Sequence, residues 1–268
     1  MALAQNQRNA IKFYEGDIAE ENKDDTLFGD SKIYATINAM FFDGTENEMQ
    51  KHAEGKRLNP SFIDRFQDLV EVDFFGSLFS AFNNSERDDV VTYRVDRLSN
   101  VLEMLKFGKT ISFTSTCKNG FLSSYGDKNN IILIEFHIPK EIPHIDFEKV
   151  LDSYAKKEEA EVLLPPGIEF KYKKAELSES EKQILDYNGN PPKAKYIFVC
   201  TGVSMLPYND QKLCEEDKAA AIEFIKNLNS NIENSEKEMY SYLRFKSFAL
   251  SVISKAHLKS FSKNSWQH

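Results

Sequence analysis

The chain has 268 residues, 41% of them apolar and 21 of them phenylalanine, enough to bury a sizeable core as one domain with an elaboration. Its net charge of -8 argues against nucleic-acid binding through bulk electrostatics. No apolar run reaches the ~18 to 20 residues that span a bilayer, and Cys117, Cys200 and Cys214 are too few and too scattered for a disulfide framework or a zinc pattern.

Residues 1 to 30 open with a short helical tract and turn polar in EGDIAEENKDD, a surface loop. Behind Ser31, a capping residue, Ile33, Tyr34, Ile37, Met40 and Phe41 recur at helical spacing and predict a helix over about 31 to 42. A second helix follows the Asn59-Pro60-Ser61 start signal, and a third covers 73 to 82. From Asp88 the pattern turns to strands: Val90 to Val95, Thr110 to Thr116, Ile131 to Ile138, Ile168 to Lys174 and Lys195 to Val203. Between the first two lies the helical VLEMLKFG, ending at Gly108. The run Ile131 to Ile138, stopped by Pro139, predicts a strand buried on both faces and makes His137 a core histidine. With no βαβ alternation, a sandwich or half-barrel is expected over a doubly wound sheet. Past residue 207 two helices are predicted, one over EEDKAAAIEFIKNLN and one behind the capping box Ser235-Glu236-Lys237-Glu238. The last stretch carries Arg244, Lys246, Lys255, Lys259 and Lys263 and no acid after Glu238, a solvated basic face that could also dock an acidic partner.

The chemistry concentrates in Glu159-Ala160-Glu161-Val162-Leu163-Leu164-Pro165-Pro166-Gly167. A short strand opening after the acidic pair would place Glu159 and Glu161 on one face, roughly 6 to 7 Å apart. Two carboxylates that close discourage each other's ionisation, so the pair can hold two jobs. Neighbours on one strand face cannot flank a scissile sugar bond, which disfavours ordinary glycosidase chemistry.

Three landmarks stand in a fixed order: an arginine within a strand (VTYRV, Arg94), a serine-threonine pair ending a strand (FTSTC, Ser115 and Thr116), and the EAE pair before VLLPPG. This order resembles the arginine, Ser-Thr-Ser, Glu-x-Glu signature of the mono-ADP-ribosyltransferases, a family of bacterial toxins and vertebrate arginine-specific ecto-enzymes. IYATINAMFF at 33 to 42 also resembles the helix such domains place before the arginine strand, and the likeness covers roughly 30 to 206. The resemblance implies an α+β ADP-ribosyltransferase fold: a helical N-terminal part over 1–85, a two-sheet NAD-binding catalytic core over 86–206, and a helical C-terminal extension over 207–268.

It also implies NAD as substrate, without a metal, and roles for named residues. Glu161 holds the ribose and stabilises positive charge there; Glu159 is the base for an acceptor arginine; Arg94 clamps the phosphates; Ser115 fixes the rotamer of Glu161, and Thr116 lies with it against the dinucleotide. Tyr125, favoured over Phe121, offers a ring to nicotinamide, and Tyr154 in DSYAKKE contacts the acceptor. The acceptor is expected to be a protein arginine, with water (an NAD glycohydrolase), a nucleobase or a small molecule as alternatives, and an NAD-binding interaction module as the non-enzyme reading. Departures are Cys117 at the third position of the serine motif and Val95 after the arginine; His137 does not support the histidine branch of the superfamily. The N-terminus lacks a hydrophobic secretion segment, so a soluble protein is expected, acting in a bacterial cytoplasm or delivered into a target cell.

Overall fold

The computed structural model describes residues 3–15, 34, 37–38, 40–41, 60–119, 131–151, 160–184, 189–206 and 235–262. The chain divides into two compact units, one of Met1–Leu3 with Phe82–Pro207, the other of Ala4–Ala81 with Tyr208–His268.

The second unit is helical among its described residues: α1 (Gln5–Glu15), α2 (Pro60–Glu71), most of α3 (Phe74–Asn84) and the C-terminal helix, written α6 below (Ser235–Ser260). Segments from both ends of the sequence share one aromatic core. Phe66 of α2 meets Phe75 at 5.6 Å and Phe245 at 5.3 Å between ring centroids, while His257 stands edge-on to Phe79 at 5.2 Å. The tilted and edge-to-face ring contacts add to the burial of the rings themselves. Two side-chain bonds tie α1 to α3, from Asn6 Nδ2 to Ser77 Oγ at 3.0 Å and from Gln7 Nε2 to Ser80 Oγ at 2.9 Å. Tyr34, Ile37 and Asn38 are helical, and Ile37, Met40 and Phe41 are buried, as their spacing predicts. Ser31 and the predicted helix over EEDKAAAIEFIKNLN lie outside the described residues. On α6 the basic face is not uniformly solvated: Lys259 is exposed, whereas Lys246 is buried beside Phe245 in the sequence.

The first unit carries one seven-stranded sheet in the order β4-β5-β2-β1-β3-β7-β6. Its strands are β1 (Val90–Arg97), β2 (Thr114–Cys117), β3 (Ile131–Ile138), β4 (Ile145–Asp146), β5 (Glu161–Leu164), β6 (Ile168–Ala175) and β7 (Ala194–Val203). All neighbours run antiparallel except β3 and β7. Helix α4 (Leu98–Phe107) joins β1 to β2, and the short α5 (Phe147–Val150) follows β4, its first turn capped by Asp146 accepting from the Glu148 amide at 3.2 Å. Gly108 ends α4 at φ +65°, a left-handed conformation that glycine adopts without a Cβ penalty, and its amide donates to the Met104 carbonyl at 2.8 Å.

In place of two separate sheets, hydrogen bonding joins all seven strands into one. The reason is the joint between β1 and β2, a single register pair, Tyr93↔Cys117, which links a three-stranded wing (β4, β5, β2) to a four-stranded wing (β1, β3, β7, β6). Strand β2 is also shorter than the apolar run predicts. The Thr110 hydroxyl donates to the Pro165 carbonyl at 2.8 Å and accepts from the Ile168 amide at 2.9 Å, and Lys109 bridges Glu169, so residues 108 to 110 pair with the start of β6 and the chain bends at Ser112 before β2 begins.

Strand β3 is buried on both faces only over its first four residues; Glu135 and His137 look onto a half-open face. His137 is therefore not a core residue: its side chain is 42% exposed and its Nε2 lies 2.6 Å from Glu135 Oε1. On the other face Phe136, Phe198 and Phe170 form the apolar layer, Phe170 and Phe198 stacked with centroids 4.0 Å apart.

Candidate active site

Three strands from the two wings carry the residues that the signature singles out. On β1, period-two alternation sends Tyr93 and Val95 to one face, where Val95 packs with Ile131 and Leu133, and sends Arg94 and Asp96 to the other. Arg94 is held at two points of its guanidinium: Nε donates to Asp96 Oδ2 at 2.7 Å and Nη1 donates to the Ser115 carbonyl at 2.9 Å. Asp96 is itself buried, and its Oδ1 accepts from the Arg97 amide at 2.8 Å and from Asn100 Nδ2 at 2.9 Å.

Strands β2 and β5 pair antiparallel, with Ser115 opposite Leu163 and Cys117 opposite Glu161. Residues paired in register share a face, so Ser115 and Glu161 are diagonal neighbours on it, within reach of a side-chain bond. The Ser115 hydroxyl donates to Glu161 Oε1. Glu161 is 8% exposed, so a carboxylate largely removed from water receives a fixed donor. Ser115 thus links the other two residues: its carbonyl accepts from Arg94 and its hydroxyl donates to Glu161.

Thr116 alternates to the opposite face, is 1% exposed, and donates its hydroxyl to the Val162 carbonyl at 2.8 Å. Its polar atom serves the β2–β5 pairing. Cys117 is buried directly across from Glu161, and Lys118 extends the ladder by donating its amide to the Ala160 carbonyl at 3.1 Å. The Lys118 ammonium sits on Asp146 at 2.9 Å and on Glu148; burial pulls its pKa down, but the bonds to Glu148 and Asp146 outweigh that and hold it above the usual lysine value.

Ala160 has φ +43°, a left-handed conformation uncommon for a residue with a Cβ, and β5 begins only at Glu161. Glu159 itself, with Tyr125, Phe121 and Tyr154, lies outside the described residues. The turn after β5 uses the Pro165-Pro166-Gly167 run: Gly167 has φ +90° and donates its amide to the Thr110 carbonyl at 2.8 Å, fixing where β5 ends.

The structure therefore links Arg94 to the Ser115 backbone and the Ser115 side chain to Glu161, and adds Asp96, which the signature did not name. Its signal was present in the sequence, an acid two residues from an arginine in a strand, hence on the same face. Among the described residues no group of three or more His, Cys, Asp or Glu side chains is placed to hold a metal ion, and no helix is long and apolar enough to cross a membrane.

No protein-family model and no curated protein matches the chain. Among solved structures it is similar to the Clostridium limosum C3 exoenzyme, at 12% identity and a TM-score of 0.39 over 74% of this chain and 86% of that one. It is similar to the Vis toxin, an ADP-ribosyltransferase from Vibrio splendidus, at 16% identity and 0.37 over 78% and 91%. A third is an ADP-ribosyltransferase from Clostridium botulinum, at 14% identity and 0.37 over 74% and 88%.

Proposed function

We propose that this protein is an NAD-dependent mono-ADP-ribosyltransferase that transfers ADP-ribose from NAD to a protein arginine and releases nicotinamide. The observation that carries the reading is the pair of hydrogen bonds through Ser115, which ties the arginine of the signature to its second glutamate. A planar, always-charged guanidinium suits the diphosphate of a dinucleotide, and a shielded carboxylate suits a ribose on which positive charge develops. Nicotinamide leaves when the bond from its nitrogen to the ribose C1′ breaks and takes the electron pair, becoming neutral, so no acid is needed at that nitrogen. Glu161 stabilises the resulting oxocarbenium. An arginine nitrogen of the acceptor then forms the new bond to C1′, and its proton passes to Glu159.

On this reading, residues 86–206 are the catalytic core, and the two wings on either side of Tyr93↔Cys117 stand for its two sheets. Tyr125 faces nicotinamide, and Tyr154 with Glu159 meets the acceptor. Thr116 contributes through the backbone of β2, since its hydroxyl is committed to Val162. The basic C-terminal helix docks an acidic partner through Lys255 and Lys259, and the protein acts in a bacterial cytoplasm or inside a target cell.

The test uses NAD labelled in its adenylate, incubated with the protein and a cell lysate, with nicotinamide release followed in parallel. Label on protein, removable by an arginine-specific hydrolase, is the expected result. Glu159→Gln should abolish the transfer and leave part of the nicotinamide release, whereas Glu161→Gln should abolish both. Full NAD turnover by Glu161→Gln overturns the assignment, and release of free ADP-ribose as the sole product would make water the acceptor.

A further inference from the structure

We propose that Asp96 is a positioning residue for Arg94, a buried carboxylate that sets the plane of the guanidinium before a dinucleotide arrives; the inference rests on the transferase reading above. Arginine has a long, freely rotating stem, and holding it in one orientation for a diphosphate costs side-chain entropy on binding unless the fold has already fixed it. Here two atoms of the guanidinium are held, Nε on Asp96 and Nη1 on the Ser115 carbonyl. Asp96 is itself held in place on its other oxygen. It is 3% exposed, and that oxygen is tied to the Arg97 amide and to Asn100 in the first turn of α4. The helix start therefore holds the carboxylate, the carboxylate holds the arginine, and the arginine reaches the strand that carries Ser115.

A merely structural role is the competing account, because Asp96 also braces the entry to α4. Asp96→Asn separates the two. The asparagine Oδ1 still accepts from the Arg97 amide and from Asn100, while its amide group meets the Arg94 Nε–H as donor against donor. The steady-state KM for NAD in nicotinamide release and the NAD dissociation constant by calorimetry are measured in four proteins: wild type, Asp96→Asn, Arg94→Ala and the double variant.

Positioning predicts that Asp96→Asn raises both constants about tenfold with kcat within about twofold, because the phosphate clamp acts equally on ground and transition states. It predicts no further change when the substitution is made in Arg94→Ala. If Asp96→Asn leaves both constants unchanged while Arg94→Ala raises them, the proposal is overturned and the transferase reading stands. Equal losses in both backgrounds make Asp96 structural and also overturn it. If wild type binds no NAD, or Arg94→Ala is indifferent to it, the reading and the proposal fall together. A measurement that does not depend on the variant folding is the Arg94 Nε–H resonance of the unliganded wild type: slow exchange with solvent is expected, and an averaged, fast-exchanging signal refutes the fixed guanidinium.

Discussion

Replacing Ser115 with alanine isolates one of the two links that hold the site. Arg94 binds the carbonyl of residue 115, which alanine keeps, while Glu161 binds the hydroxyl, which alanine lacks. The lost bond is to a carboxylate that is 8% exposed, and hydrogen bonds to charged groups contribute about 1.5 to 3 kcal/mol. If Glu161 acts on charge that develops in the transition state, that loss falls on kcat, and at about 1.4 kcal/mol per tenfold it corresponds to a fall of roughly 10- to 150-fold. The KM for NAD should stay within a few-fold, since the arginine clamp is untouched. A domain stable by about 5 to 15 kcal/mol remains folded after such a loss, so the kinetics can be read on native protein. The assay is initial-rate nicotinamide release across a range of NAD concentrations, with circular dichroism to verify folding. A variant with kcat within twofold of wild type, or one whose defect lies wholly in KM, would refute the assigned division of labour between the carbonyl and the hydroxyl.

Two further predictions concern the scaffold. Gly108→Ala places a Cβ where nothing lies within 4 Å, so its cost is the left-handed conformation alone, about 1 kcal/mol in urea denaturation; a loss beyond about 3 kcal/mol would mean that α4 ends differently. His144 is buried, and burial pushes its pKa below the ordinary 6.5 despite the Nδ1–H bond to the Ile142 carbonyl at 2.8 Å. A base whose folded pKa is depressed supplies stability that is present above pH 6.5 and lost as pH falls through the folded value. His144→Asn, which retains a donor near Nδ1, should therefore flatten the decline in urea midpoint between pH 7.5 and pH 5, and an unchanged decline would count against burial of the neutral ring.

Where one physical signal governed a stretch, the sequence was readable. The run Ile131 to Ile138 is bounded by a proline that cannot continue the ladder, and the strand spans those residues. Gly108 ends α4 because only its backbone takes the required turn cheaply. Alternation in TSTC separates Ser115 from Thr116, so that one hydroxyl reaches Glu161 and the other is absorbed by Val162. The misreadings come from tertiary competition. Thr110 had the β-propensity of a strand residue, but its hydroxyl is committed to the Pro165–Ile168 turn, and the strand starts four residues later. Alanine gives no local hint of φ +43°, the conformation that Ala160 takes immediately before β5. His137 sat in an apolar run, yet one face of the strand's second half is half-open, and there Glu135 pairs with Lys195 at 2.6 Å and with His137 itself.

Every other strand pair in the sheet is fastened by two or more rungs, but at Tyr93↔Cys117 there is one, and the Arg94 guanidinium crosses the same seam to the Ser115 carbonyl. The side chain that would grip the substrate is thus also a stitch between the two halves of the sheet. An arginine deletion at this place cannot be treated as a silent knockout: it unpicks a fastening as well as removing the proposed clamp, and Arg94→Lys, which keeps the charge with a single point of attachment, becomes the fairer control for what the charge alone contributes.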